Sequence, residues 1–183
     1  MKKSLTSLSK KISYILRHAP SDYKLEMDQE GWVSIQDLLQ VLRKEKDEWQ
    51  TLTISDLVEI INHSPKQRFE LINDKIRALY GHSLDEKLKK HKVEPPEILY
   101  HGTTPQVAEL VSKEGLKPMK RQFIHLSINE EIAMEVGYRK SSTPVILSIE
   151  ARKAYHDGVK FYVGNDHVWL ADFIPSKYLD IKK

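Results

Sequence analysis

Residues 68–81 read RFELINDKIRALYG, and their period decides how the first half of the chain folds. Phe69 and Leu71 alternate with polar residues, Ile76 and Ala78 do so again, and Asn73-Asp74 stand between the two runs. Strict alternation marks a strand with one buried face, and an Asn-Asp pair suits a tight turn, so this stretch predicts a β-hairpin. Everything upstream follows a different period. Leu5, Leu8, Ile12, Ile15 and Leu16 recur at helical spacing, and Pro20 ends the run. Ile35, Leu38, Leu39 and Leu42 form the inward stripe of a second helix, with Ser34 as its N-cap. Ile54, Leu57, Ile60 and Ile61 repeat the pattern in a third.

Three helices followed by a hairpin is the order of a winged helix. Such a module often binds nucleic acid, but fold alone does not establish function. The segment HSLDEKLKKHKVEPPEILY (82–100) then brings a charge run and Pro95-Pro96, the composition of a linker. Two domains are expected, 1–93 and 94–183. Beyond the linker, EILYHG, FIHLS, PVILSIE, FYVG and HVWLADF read as short strands. PQVAELVSKEG and NEEIAMEVGYRK read as helices, the first ending at glycine and the second acidic at its start and basic at its end. The fold class is therefore α+β, with mostly short antiparallel strands in the second lobe.

Composition narrows the class of protein. The chain has 183 residues, 30% of them charged and none of them cysteine, so no disulfide framework or thiolate metal site is possible. No apolar run reaches the ~18 residues of a membrane-spanning helix, and the basic start MKKSLTSLSKK lacks an apolar signal core. A cytoplasmic monomer away from any membrane is the expectation. The net charge of +3 falls entirely in the first half, where 17 Lys/Arg face 14 Asp/Glu. That excess permits contact with a polyanion without demanding it.

The residues able to carry chemistry cluster at element ends. Arg17 and His18, in SYILRHAP (13–20), end the first helix; as cations there they favour the helix dipole by ~0.3–1 kcal/mol each, which alone would account for them. YHGT (100–103) lies where a strand gives way to a helix: Gly102 would let a ligand approach the backbone, and Thr103 could bind it or cap the helix. FIHLS (123–127) presents His125 and Ser127 two residues apart on one face of a strand. Two such strand ends suggest a shared cleft. There is no zinc spacing, Walker loop, GxGxxG or nucleophile elbow. Phosphate would be held by side chains, and arginine's planar fork suits it best; Arg17, Arg68, Arg77, Arg121 and Arg139 are the candidates.

LRHAP, EGWVSIQDLL, KQRFEL, IRALYGHS, LYHGT, EGL, RQFIHLS and VWL occur in this order. Together they resemble the NAD-dependent RNA 2′-phosphotransferase family of the KptA type, over about residues 8–180. The resemblance implies an N-terminal winged-helix RNA lobe and a C-terminal lobe related to ADP-ribosyltransferases. It implies a catalytic tetrad of Arg17, His18, Arg68 and Arg121. It assigns NAD contacts to His101, Gly102, Thr103, His125 and Ser127, with Arg139 nearby, and RNA contacts to Arg77, Gly81, His82 and Ser83. Tyr80 stands where the family often has glutamine.

The implied reaction uses NAD as a consumed co-substrate and no metal. An internal RNA 2′-phosphate, of the kind left at a tRNA splice junction, attacks C1″ of the nicotinamide ribose and nicotinamide leaves. The O2″ hydroxyl of the resulting RNA-2′-phospho-ADP-ribose then attacks phosphorus, giving 2′-OH RNA and ADP-ribose 1″,2″-cyclic phosphate. Arginines aimed at the phosphoryl oxygens would stabilise that second step. Two other readings remain open from the residues: an ADP-ribosyltransferase that caps phosphorylated nucleic-acid ends, and a winged-helix DNA-binding regulator.

Overall fold

The computed structural model describes residues 5–64 and 66–182; Met1 to Ser4 of the basic N-terminal stretch lie outside them, as do Pro65 and Lys183. Its contacts divide the chain into two compact units, with the break between Lys89 and Lys90.

The first unit holds three α-helices, α1 (Leu5–His18), α2 (Ile35–Glu45) and α3 (Ile54–His63). It also holds a small antiparallel sheet of β1 (Val33–Ser34), β2 (Phe69–Ile72) and β3 (Lys75–Ala78), ordered β1-β3-β2. Local chemistry sets the helix starts. Ser34 Oγ accepts from the Asp37 amide to cap α2. Thr53 and Asp56 exchange side-chain and backbone bonds as a capping box on α3. Leu8, Ile12, Ile15 and Leu16 of α1 meet Leu38, Leu39 and Leu42 of α2, with Trp49, Leu57 and Phe69, in one buried core.

The hairpin forms as its alternation predicts. Ile72 pairs with Lys75 across the two-residue turn, and Asn73 takes the left-handed conformation at φ 54° that the turn requires. One apolar position departs from expectation. Ile54, the first residue of α3, lies outside the core and is 42% exposed, because the helix meets the core one turn later at Leu57 and Ile60. The segment after the hairpin is also less solvated than its charge suggests. Leu88 is buried against Gly31, and the Lys89 amide donates to the Gln29 carbonyl at 2.7 Å.

The second unit is a six-stranded antiparallel sheet ordered β7-β8-β5-β4-β6-β9. Its strands are β4 (Ile98–Thr103), β5 (Ile124–Ser127), β6 (Val145–Glu150), β7 (Phe161–Val163), β8 (Val168–Ala171) and β9 (Leu179–Lys182). Three helices accompany it: α4 (Pro105–Glu114), α5 (Glu130–Tyr138) and α6 (Ala151–His156). Ala108 and Val111 of α4 and Ala151 and Ala154 of α6 join Leu99, Leu126, Leu147 and Ile149 in the core on one face of the sheet. By strand alternation Gly102 belongs to the opposite face, where α5 packs. The architecture is α+β with two antiparallel sheets, and α1–α6 are the α-helices among the described residues.

Candidate active site

In the first unit, Arg17, His18 and Arg68 line one cavity of about 560 Å³. α1 supplies Arg17 and His18 from its last turn, and Arg68 precedes β2. Each is held by neighbours distant in sequence or just beyond a helix end. The Arg17 guanidinium lies 5.0 Å from the Tyr80 ring centroid, a cation–π contact. Gly81, at φ 92°, passes so close to Arg17 that a Cβ there would stand 3.3 Å from Cδ. His18 Nδ1 and Ser83 Oγ share a hydrogen bond of 2.7 Å, and the Ser83 amide donates to the Arg17 carbonyl at 3.0 Å. Arg68 Nη1 donates to Ser64 Oγ at 2.6 Å. Residues 80–83 thus wrap the C-terminal end of α1 and fix the heads of Arg17 and His18.

This changes the roles read from IRALYGHS. Gly81 and Ser83 position Arg17 and His18, and His82 is only 2% exposed, so its ring is not presented to a ligand at the surface. Arg77 is directly opposite Glu70 in the hairpin and bonds its carboxylate at 2.7 Å, with Glu30 at 3.5 Å and the Trp32 ring beneath it at 4.2 Å. Its charge is matched by carboxylates of the same unit, so it is placed as a brace of the hairpin. Lys10, Tyr14, His63 and Ser64, which also line the cavity, are functional candidates that the motifs did not single out. The signal for Tyr14 and Lys10 was their helical spacing, four residues before His18 and seven before Arg17.

In the second unit, HGT lies at the end of β4 and HLS within β5. The two strands are neighbours, yet they pair at the one position Tyr100–Ser127, whereas β4 pairs with β6 along its whole length. The ladder between them is open where His101–Thr103 runs beside Ile124–Leu126. His101 spans that opening: its Nδ1–H donates to the His125 carbonyl at 2.8 Å. This bond fixes the tautomer and leaves Nε2 an acceptor in the neutral ring. Register puts His125 and Ser127 on the same face as Tyr100, and so opposite His101 and Thr103. The expected shared cleft is therefore an opening between two strands, with the side chains of each strand end directed to different faces.

Two further expectations are corrected here. The α4 N-cap is Thr104, whose Oγ1 accepts from the Val107 amide, while Thr103 is buried within β4. Gly102 admits α5: a Cβ there would overlap the Ala133 carbonyl. Ser127 is buried at the end of β5, and Arg139 is exposed at the C-terminal cap of α5. Arg121 belongs to the second unit, in the turn before β5 where its amide donates to the Pro118 carbonyl at 3.1 Å.

Burial lowers the His101 pKa to about 4, the bond to the His125 carbonyl opposing the shift and the Lys140 charge adding to it. The folded value lies below the ordinary ~6.5, so between those pH values the unfolded chain takes up a proton that the folded chain refuses. Stability is therefore lost as pH falls through that window, by at most about 1.4 kcal/mol per unit from this group. Denaturant titrations at steps from pH 7.5 to 4.5, on wild type and His101→Gln, check this. The stability advantage of wild type over the variant should shrink as pH falls; a constant difference would refute the assignment.

The sequence profile of the family described as "RNA 2′-phosphotransferase, Tpt1 / KptA family" matches residues 3–173. The chain belongs to this family. A relative from Bacillus thuringiensis subsp. konkukian, named "Probable RNA 2′-phosphotransferase", is 49% identical over 181 residues, covering 99% of this chain and 97% of the relative. One of the same name from Acetivibrio thermocellus is 48% identical over 174 residues, covering 95% of each. An archaeal relative from Archaeoglobus fulgidus, "Probable RNA 2′-phosphotransferase 1", is 38% identical over 97% of this chain and 81% of its own length. Family membership thus extends across both units.

Proposed function

We propose that the protein is an NAD-dependent RNA 2′-phosphotransferase that clears an internal 2′-phosphate from RNA such as spliced tRNA. The observation that carries this is the convergence of Arg17, His18 and Arg68 on one cavity in a chain of this family. Two arginine forks supply charged donors, and an imidazole a further hydrogen-bonding group, suited to a phosphate dianion. We read the first unit, three helices and a three-stranded sheet, as a winged-helix RNA lobe, and the second as an ADP-ribosyltransferase-like lobe.

The second unit's residues suit a dinucleotide. His101 Nε2, neutral near pH 7, can accept from a ribose hydroxyl or an amide beside the open ladder. NAD, when bound there, would supply an electrophilic ribose carbon with nicotinamide as a neutral leaving group. Arg17, His18 and Arg68 would hold the attacking phosphate, which is largely a matter of positioning. Arg121 would act on the charge that builds on the phosphoryl oxygens as the phosphate is transferred.

The test mixes the protein with NAD and a short RNA bearing one internal 2′-phosphate, without added metal. Expected products are 2′-OH RNA, nicotinamide and ADP-ribose 1″,2″-cyclic phosphate. Arg121→Ala should instead accumulate RNA that carries ADP-ribose, because the later step depends most on phosphoryl charge. Wild-type protein that leaves ADP-ribose on the RNA would favour the end-capping reaction. Unchanged RNA in the presence of folded protein would refute the transferase reading.

A further inference from the structure

The cavity holding Arg17, His18 and Arg68 is larger than one phosphate needs. Its 560 Å³ falls in the ~300–1,000 Å³ range of clefts that enclose whole small-molecule ligands. It continues as a trough from these residues along the outer face of α1 beside α3, and its lining has a consistent chemistry. Of twelve lining residues none is acidic: Lys10, Arg17 and Arg68 are cations, His18 and His63 are imidazoles, and five others carry hydroxyls. Hydroxyl and cationic side chains are the usual partners of nucleic-acid phosphates.

Lys10 is two helical turns from Arg17, about 10 Å along the axis, and so reaches beyond a phosphate held by Arg17. It makes no ion pair among the described residues, whereas its neighbour Lys11 is bound to Glu45 and Tyr23. Tyr14 lies between them, 48% exposed, with its ring centroid 6.0 Å from that of His18. A basic groove with an exposed aromatic ring is how proteins hold single strands, the cations tracking the backbone and the ring stacking on a base.

We propose that this trough binds the single-stranded RNA flanking the 2′-phosphate, with Lys10 on a neighbouring backbone phosphate and Tyr14 stacked on an adjacent base. The proposal rests on the reaction proposed above and gives its substrate a form: an unpaired strand extending beyond the modified nucleotide.

The test measures binding by anisotropy, using a labelled dinucleotide and a labelled decamer that each carry one internal 2′-phosphate. Lys10→Ala should weaken decamer binding about 10-fold and lower its logarithmic salt slope by roughly 0.7, as loss of one single-strand phosphate contact requires. Tyr14→Ala should weaken it about 10-fold or more, and Tyr14→Phe should retain it. Both alanine variants should weaken dinucleotide binding by a smaller factor than decamer binding, because the dinucleotide offers the trough one adjacent base and no further strand. Both sites are exposed, so unchanged melting curves will show that the folds are intact.

Equal affinity of wild type for the two RNAs would overturn the proposal, as would decamer binding unaffected by both alanine variants. Turnover of the decamer with NAD is scored separately. A wild type that binds as predicted but removes no phosphate would refute the reaction and leave the strand site standing.

Discussion

Arg17→Ala is expected to remove an RNA 2′-phosphate at least ~100-fold more slowly than wild type, with its fold intact. Loss of one aligned donor to a charge-bearing transition state costs ~100- to 1,000-fold in comparable sites. Arg17 is held for such a role: its guanidinium rests near the Tyr80 ring, its stem packs on Gly81, and the cavity wall also contains Arg68 and His18. The stability cost should be a few kcal/mol at most: a desolvated cation–π contact contributes ~2 kcal/mol, and Arg17 Nε and Nη2 are buried, while a cation at a helix C-terminus adds ~0.3–1 kcal/mol. Arg17→Lys separates charge from geometry. Lysine keeps the positive charge at the end of α1 but presents no planar fork, so it should recover only part of the lost rate. Single-turnover rates at saturating protein and NAD, with melting curves for each variant, check this. An alanine variant within a few-fold of wild type would show that the phosphate is held elsewhere.

The sequence made α1 and the hairpin readable because each carries a strong local signal, while the order of the second sheet's strands is set by long-range pairing that no local pattern announces. Leu8, Ile12, Ile15 and Leu16 repeat at helical spacing, and Phe69 and Leu71 oppose Ala78 and Ile76 in the hairpin register that alternation predicts. The elements that escaped lack such signals. α6 buries only Ala151 and Ala154 and has no large apolar stripe. β9, in the polar stretch LDIK, is an edge strand, where exposed charge is normal.

The site divides in the same way. Arg17, His18 and Arg68 stand in short distinctive motifs, but their supports are long-range. Ser83 is 65 positions from His18, and nothing local in GHS announces a bond to an imidazole. Arg77 shows the reverse failure. A basic residue in a motif invites a phosphate, and only the register that sets Glu70 opposite it shows its charge already matched. Lys10 and Tyr14 were visible as a helix face, yet their meaning depends on α3 and Arg68 bordering the same cavity.

Gly102 poses the sharpest contrast between motif and packing. Gly102→Ala is expected to destabilise the second unit by about 3 kcal/mol or more, the upper end of overpacking costs. The added methyl would overlap the Ala133 carbonyl oxygen and stand 2.8 Å from its carbon and 2.9 Å from the Gly137 nitrogen. These are backbone atoms, so no rotamer change relieves the contact, and α5 would have to lift from β4. The helix is seated as closely one turn on, where a Cβ on Gly137 would stand 2.6 Å from Pro144 Cβ and 3.5 Å from Gly102 Cα. Ala133→Gly should not rescue the variant, because the obstructing atoms are not the alanine's methyl. Thermal melting separates the two accounts of this glycine. A large fall in melting temperature, unrelieved in the double variant, is the signature of a helix seated on a strand. A variant that melts like wild type but no longer turns over NAD would mean that the space above Gly102 is reserved for the dinucleotide.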